Sequence, residues 1–271
     1  MKVLFWCDME GIGGIVKWDQ VVAGKSQYEE GRHLYTAEIN AAVRGAKKAG
    51  AKEIIVVDGH GAGGEHSFNS LIKDQLEPGA EYVFGNRWGC YVEPLLEADA
   101  MLLPGAHAMA GTEDGILSHT MSTENFRMAT INDQQVGESG IVAAIAGSFD
   151  VPVVFVSGDE ATCREVKALV GPTLHTVAVK KSLSRYAARC LAPADACQKI
   201  EIGVEKALRD AKNWPKPLKF NAPVELRVEL ASPDKSSAFQ GRKGCEIINP
   251  STVICKDENF WKIWDQFWYR T

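Results

Sequence analysis

Short apolar runs alternate with amphipathic stretches along residues 1–212 of this 271-residue chain, and that alternation admits few folds. The runs "KVLFWC" (2–7), "EIIVVD" (53–58), "AMLLPG" (100–105), "MATIND" (128–133), "VPVVFVSG" (151–158) and "LHTVAVK" (174–180) read as strands. Between them "EEGRHLYTAEINAAVRGAKKAG", "VGESGIVAAIAGSF" and "DEATCREVKALVG" carry helical periodicity, the last stopping at Gly171 and Pro172. Strands and helices in turn predict an α/β fold, layered α/β/α with a largely parallel sheet, over 1–212. Residues 193–212 form a further helix candidate, and "NWPKPLKFNAP", with three prolines in eleven residues, is the best linker. After it "VELRVEL" alternates as a strand with one wet face does. Residues 220–271 are thus expected to form a small C-terminal α+β portion, separate or packed as part of one body.

Composition removes several function classes. Thirty basic against thirty-five acidic residues give a formal charge of -5 with no basic block, so no nucleic-acid surface is expected. No apolar run is long enough to span a bilayer, and the start "MKVLFWCD" is too short for the apolar segment of a secretory signal. Seven cysteines without a Cys-x-x-Cys pair suit reduced thiols. The expected location is the cytoplasm and the expected partner a small molecule or peptide.

Open α/β sheets bind ligands beyond the carboxyl ends of their strands. In this chain those positions are rich in metal-ligand types: Asp8 and Glu10 after the first strand, Asp58 and His60 after the second, and His107 after the third. Asp133 follows the fourth, and Glu138 heads the next helix. Strand alternation would turn Asp8 and Glu10 to one point, where two carboxylates repel unless a cation lies between them. Two imidazoles with several carboxylates suit zinc or a similar divalent ion, and a bridging carboxylate would permit two ions. Each fragment also has a plainer reading. Asp8 and Glu10 suit a helix or turn cap, His60 a turn, His107 a core position and Glu138 the helix dipole. His119, in "GILSHTMS", fits a ligand, a core histidine or a proton-transfer residue.

Other motifs carry less. "GHGAGGEH" lacks the Lys-Ser/Thr ending of a phosphate loop, and its glycines suit a backbone that bends closely around His60. No Gly-x-Ser-x-Gly elbow supports a serine nucleophile. Cys7 alternates away from Asp8 and reads as a small buried residue. In the tail "FWKIWDQFWYRT" aromatic residues recur at helical spacing, as core or as a subunit interface.

The stretches "DMEGIGG", "VVDGHG", "LPGAHAMAGTEDGILSHTMS", "INDQQVGESGIVAAIAGSFDVPVVFVSGDE" and "VKKSLSRYAARCLAPADA" together resemble the M55 family of metallopeptidases, the DppA-type D-aminopeptidases. The resemblance is specific as far as about Lys199 and faint beyond it. It implies two zinc ions per subunit held by Asp8, Glu10, His60, His107 and Glu138, with His119 as the catalytic histidine. It also implies hydrolysis of short peptides bearing an N-terminal D-residue, of the D-Ala-D-Ala type, through a metal-activated water, in a ring-shaped homo-oligomer, a decamer. One departure stands out: the family carries Ser two residues before the first Asp, where this chain has Trp6. The rival expectations are a same-fold metallohydrolase acting on another amide or an L-peptide, a non-catalytic dipeptide-binding transport component, and a metal-stabilised protein without activity.

Overall fold

The computed structural model describes residues 1–85 and 92–268. In chain order the strands are β1 (Lys2–Cys7), β2 (Glu53–Asp58), β3 (Glu81–Val83), β4 (Ala100–Leu103), β5 (Phe126–Ile131), β6 (Gln134–Val136), β7 (Val153–Asp159), β8 (His175–Ser184), β9 (Ala187–Cys190), β10 (Val224–Leu230), β11 (Cys245–Asn249) and β12 (Thr252–Asp257). The helices are α1 (Tyr28–Lys48), α2 (Val92–Leu95), α3 (Glu138–Ser148), α4 (Glu160–Val170), α5 (Pro193–Arg209), α6 (Pro233–Ser237) and α7 (Phe260–Trp268).

The strands form two sheets. The first runs β3-β2-β1-β4-β7-β8-β9, parallel throughout except for the β8–β9 hairpin. Its central strands read as continuous apolar runs because helices cover both faces. Along β1 the side chains divide: Val3, Phe5 and Cys7 join the apolar cluster shared with α1 and α5, whereas Leu4 and Trp6 join the cluster shared with α3 and the second sheet. The buried helix α3 has nine of its eleven residues out of solvent and no polar face, as a helix clasped between two layers must.

The second sheet, β11-β12-β10-β5-β6, is antiparallel. The run 128–133 was expected as a further strand of the parallel sheet, but β5 (Phe126–Ile131) pairs with β10 and β6 instead. A two-residue connection, Asn132 and Asp133 at φ 48° and 64°, turns β5 straight back into β6, a hairpin that no parallel crossover could accommodate. Residues from both sides of the proline-rich linker therefore share one sheet. Along β10 buried and half-buried residues alternate strictly, as "VELRVEL" suggests. The aromatic tail forms α7, with Phe260, Ile263, Trp264 and Phe267 buried in the chain's own core.

Candidate metal centre

The carboxyl ends of β1, β2 and β4 and the first turn of α3 meet at one buried point. β1 ends at Cys7, so strand alternation does not aim Asp8 and Glu10 together as the sequence suggested; a turn over residues 9–14 does. That turn is pressed against the loop after β4. The Asp8 N–H donates to the Pro104 carbonyl at 3.1 Å and the Gly11 N–H to the Gly105 carbonyl at 2.8 Å. A β-carbon on Gly11 would stand 1.9 Å from the Ala106 oxygen, and one on Gly105, whose φ is +77°, 2.0 Å from the Asp8 oxygen. Only glycine lets these backbones touch.

The side chains then converge. His60 Nδ1 lies 3.0 Å from Asp8 Oδ1 and 3.2 Å from Glu10 Oε2. His107 Nε2 lies 3.3 Å from the other Asp8 oxygen and 3.5 Å from Glu138 Oε2. Asp8 thus spans the two imidazoles with one oxygen each. The His119 ring stacks on His107 at 3.9 Å, with Trp18 edge-on at 5.4 Å. The ligand atoms fall into two compact groups, Asp8–Glu10–His60 and His107–His119–Glu138, each within 4.8 Å.

Backbone carbonyls set the imidazole tautomers. A carbonyl accepts only, so the nitrogen facing it carries the proton. His60 Nε2 faces the Val21 carbonyl at 2.7 Å, His107 Nδ1 that of Ala108 at 3.0 Å and His119 Nδ1 that of Leu117 at 2.9 Å. In the neutral rings the remaining nitrogens, those of His60 and His107 aimed at carboxylates, hold lone pairs. A lone pair against a carboxylate is repulsive unless a cation or a second proton intervenes. Glu10 Oε2 and His107 Nε2 are indeed buried without a hydrogen-bond partner, so the donor set fits a divalent ion on its chemistry and on its unmet atoms. The same demand for positive charge appears in titration. Burial penalises charge on His60, but Glu10 and Asp8 outweigh it and hold the imidazole well above the ordinary range. For His107, Glu138, Asp8 and Glu10 likewise overcome burial and raise it to about 10. His119 goes the other way, pushed down to about 3 by burial and by His107.

Not every candidate arrives. Asp58 is buried beneath the site, where its oxygens accept the Ser70 and Leu71 N–H groups at 2.5 and 2.9 Å and the Tyr35 hydroxyl at 3.1 Å. It ties down the loop that carries His60. Asp133 lies exposed in the β5–β6 hairpin. His33, His66 and His175, assigned structural roles by default, stand outside both ligand groups.

Three supporting residues escaped the sequence reading. Lys180, fully buried on β8, donates to the carbonyls of Glu10, Ile12 and Ile15 at 2.5, 2.8 and 2.7 Å and so locks the turn that presents Glu10. Glu165 accepts the Met109 N–H at 3.0 Å behind His107, and Trp18 flanks His119. Lys180 sits in "VKK" with nothing local to separate it from its solvated neighbour, and Trp18 lies between β1 and α1, outside any periodic run. Trp6, the departure noted above, lines a small recess with Asp8, His107 and Glu138.

The M55 peptidase family, described as D-aminopeptidase, matches residues 1–269. A D-aminopeptidase of Bacillus subtilis (strain 168) is 34% identical over 261 residues, spanning 94% of this chain and 90% of its own length. The solved structure of the Zn-dependent D-aminopeptidase DppA from Bacillus subtilis, described as a self-compartmentalizing protease, superposes with a TM-score of 0.90 at 32% identity, covering 98% of this chain and 95% of that one.

Proposed function

This chain belongs to the M55 peptidase family and is a peptide hydrolase; from that premise we propose that it is a zinc-dependent aminopeptidase releasing N-terminal D-residues from short peptides, D-Ala-D-Ala among them. The observation that carries the proposal is the two-sided Asp8 carboxylate, one oxygen toward His60 and the other toward His107, both rings turned by backbone carbonyls so that a lone pair faces inward. Asp8, Glu10 and His60 would hold one ion, His107 and Glu138 a second, with Asp8 shared between them. Zinc supplies Lewis acidity there: it brings the pKa of water toward neutrality and polarises a carbonyl.

The chain's own residues do the rest. His119 is neutral, and with Nδ1 committed to the Leu117 carbonyl its Nε2 is the nitrogen open to a proton. It passes the proton from the attacking water to the leaving amine in a single relay, since an imidazole with its pKa held at about 3 is too weak a base to store it. Stacking on His107 and the edge of Trp18 hold the ring in that orientation. Lys180 and Asp58 keep the loops bearing Glu10 and His60 from relaxing apart. The description of the structural relative as self-compartmentalizing supports a homo-oligomer for this chain; the ring-shaped decamer that the family resemblance implies is checked by sedimentation of the purified protein.

The test is an assay of zinc-loaded protein against D-Ala-D-Ala and L-Ala-L-Ala, with His119→Ala beside wild type. The D-peptide should be cut and the L-peptide spared. The variant should retain its zinc while losing most turnover, on the order of 100-fold or more. His119 also lies within ligand reach of His107 and Glu138, which favours a second reading as a ligand; half the zinc lost in the variant would choose it.

A further inference from the structure

His119 also forms the edge of a cavity of about 450 Å³ that touches none of the five carboxylate and imidazole ligands proposed above. That volume lies in the range of small-molecule sites. Its charged lining is unequal: Arg127 and Arg185 against one acid, Glu113. Arg127 donates Nε and Nη2 to the Ala231 carbonyl at 3.3 and 2.9 Å. Arg185 donates Nη2 to the Ser118 carbonyl at 2.9 Å, beside His119, and lies 5.5 Å from the Tyr186 ring centre. Among the described residues neither guanidinium has a carboxylate partner within 4.0 Å, although the other bonds fix both in place. Each keeps N–H donors unused, and the planar fork of a guanidinium matches a carboxylate.

A peptide cut at its N-terminal residue brings one carboxylate to such a cavity, its C-terminal one, and its ammonium would be repelled there. We propose that Arg127 and Arg185 bind the C-terminal carboxylate of the substrate, so that the enzyme selects short peptides with a free carboxyl end over amidated ones. The inference rests on the peptidase reading above and adds the chemistry of the far end of the substrate. Cavity and arginines also fix polarity: the amino end points to the acidic cluster and the carboxyl end to the guanidiniums.

The experiment compares kcat and KM of the zinc-loaded full chain on D-Ala-D-Ala and on D-Ala-D-Ala amide, for wild type, Arg127→Met, Arg185→Met, the double variant and Arg185→Lys. Wild type should favour the acid by about tenfold or more in kcat/KM, mainly through KM. The double variant should bring that ratio to within about twofold of unity, with the single variants between and Arg185→Lys keeping part of the preference. Because Arg185 also braces Ser118 beside His119, its loss alters turnover of both compounds; the ratio cancels that common effect. A wild type that cuts acid and amide alike overturns the carboxylate anchor and leaves the peptidase reading standing, and so does a double variant with the wild-type ratio. A wild type that cuts neither compound overturns both. Should the double variant fail to fold, the wild-type ratio and Arg185→Lys still decide.

Discussion

At the scale of single residues, the site is a set of buried charges whose partners are fixed by backbone. Outside the ligand groups, Glu38 of α1, which holds the turn after β1, is the least settled buried acid: Oε1 accepts the Gly13 N–H at 2.9 Å while Oε2 is buried without a partner. Burial raises its carboxyl from 4.5 to about 7, against the pull of Gly13 and of Lys180. Between those values the folded state keeps a proton that the unfolded state has released, so stability falls as pH rises through the window. Glu38→Gln should remove that slope. Wild type should lose roughly 1–3 kcal/mol more than the variant between about pH 5 and pH 7 in chemical denaturation, the clustered histidines cancelling in the difference. Parallel curves would mean that Glu38 stays ionised. Asp8, Glu10, His60, His107 and Glu138 were visible in the sequence because each sits just beyond a strand or at a helix start. Lys180, Glu165 and Trp18 were not, because their importance lies in which distant backbone groups or rings they reach, a relation that exists only once β8, α4 and the loop after β1 are assembled.

At the scale of elements, the parallel strands β1, β2, β4 and β7 could be read from apolar runs, since a strand covered on both faces has few polar residues to blur it, and β8 only through its first half, before its lysines and serines. The short edge strands β3, β9 and β11 could not: three to five residues, none of them buried, carry no period to count. The placement of β5 depended on partners nearly a hundred residues away in β10, beyond any local pattern. For α7 the spacing left core and subunit interface open, and its burial within one chain decides what to expect of a substitution. Trp264 is wholly buried and stacks on Phe267 and Trp268 at 5.9 and 5.3 Å. Trp264→Ala should therefore cost about 3–5 kcal/mol, read from the urea midpoint. A cost under about 1 kcal/mol with altered sedimentation would assign this face to contacts between subunits instead.

At the scale of the whole molecule, the cluster joins three strands of the parallel sheet to α3, the helix wedged between the two sheets. A cation bound there is a cross-link between layers as well as a reagent. Three carboxylates crowd one buried pocket with two imidazoles, and without a divalent ion the imidazoles balance them only by holding protons whose charge burial penalises. The unfolded chain scatters these groups and binds zinc weakly, so each zinc ion should stabilise the native state by about 2.7 kcal/mol at a hundredfold excess over its dissociation constant, about 5.4 kcal/mol for two. For a chain of this size that is a rise in Tm of roughly 10–20 °C. Chelation should lower Tm by that amount, zinc should restore it, and calorimetric titration of the stripped protein should count two equivalents. Asp8→Asn should abolish the rise, because one oxygen of that carboxylate serves each half of the cluster. Zinc added to this variant should shift Tm by less than about 2 °C. A variant that recovers fully would mean that the two halves bind independently and that Asp8 bridges nothing.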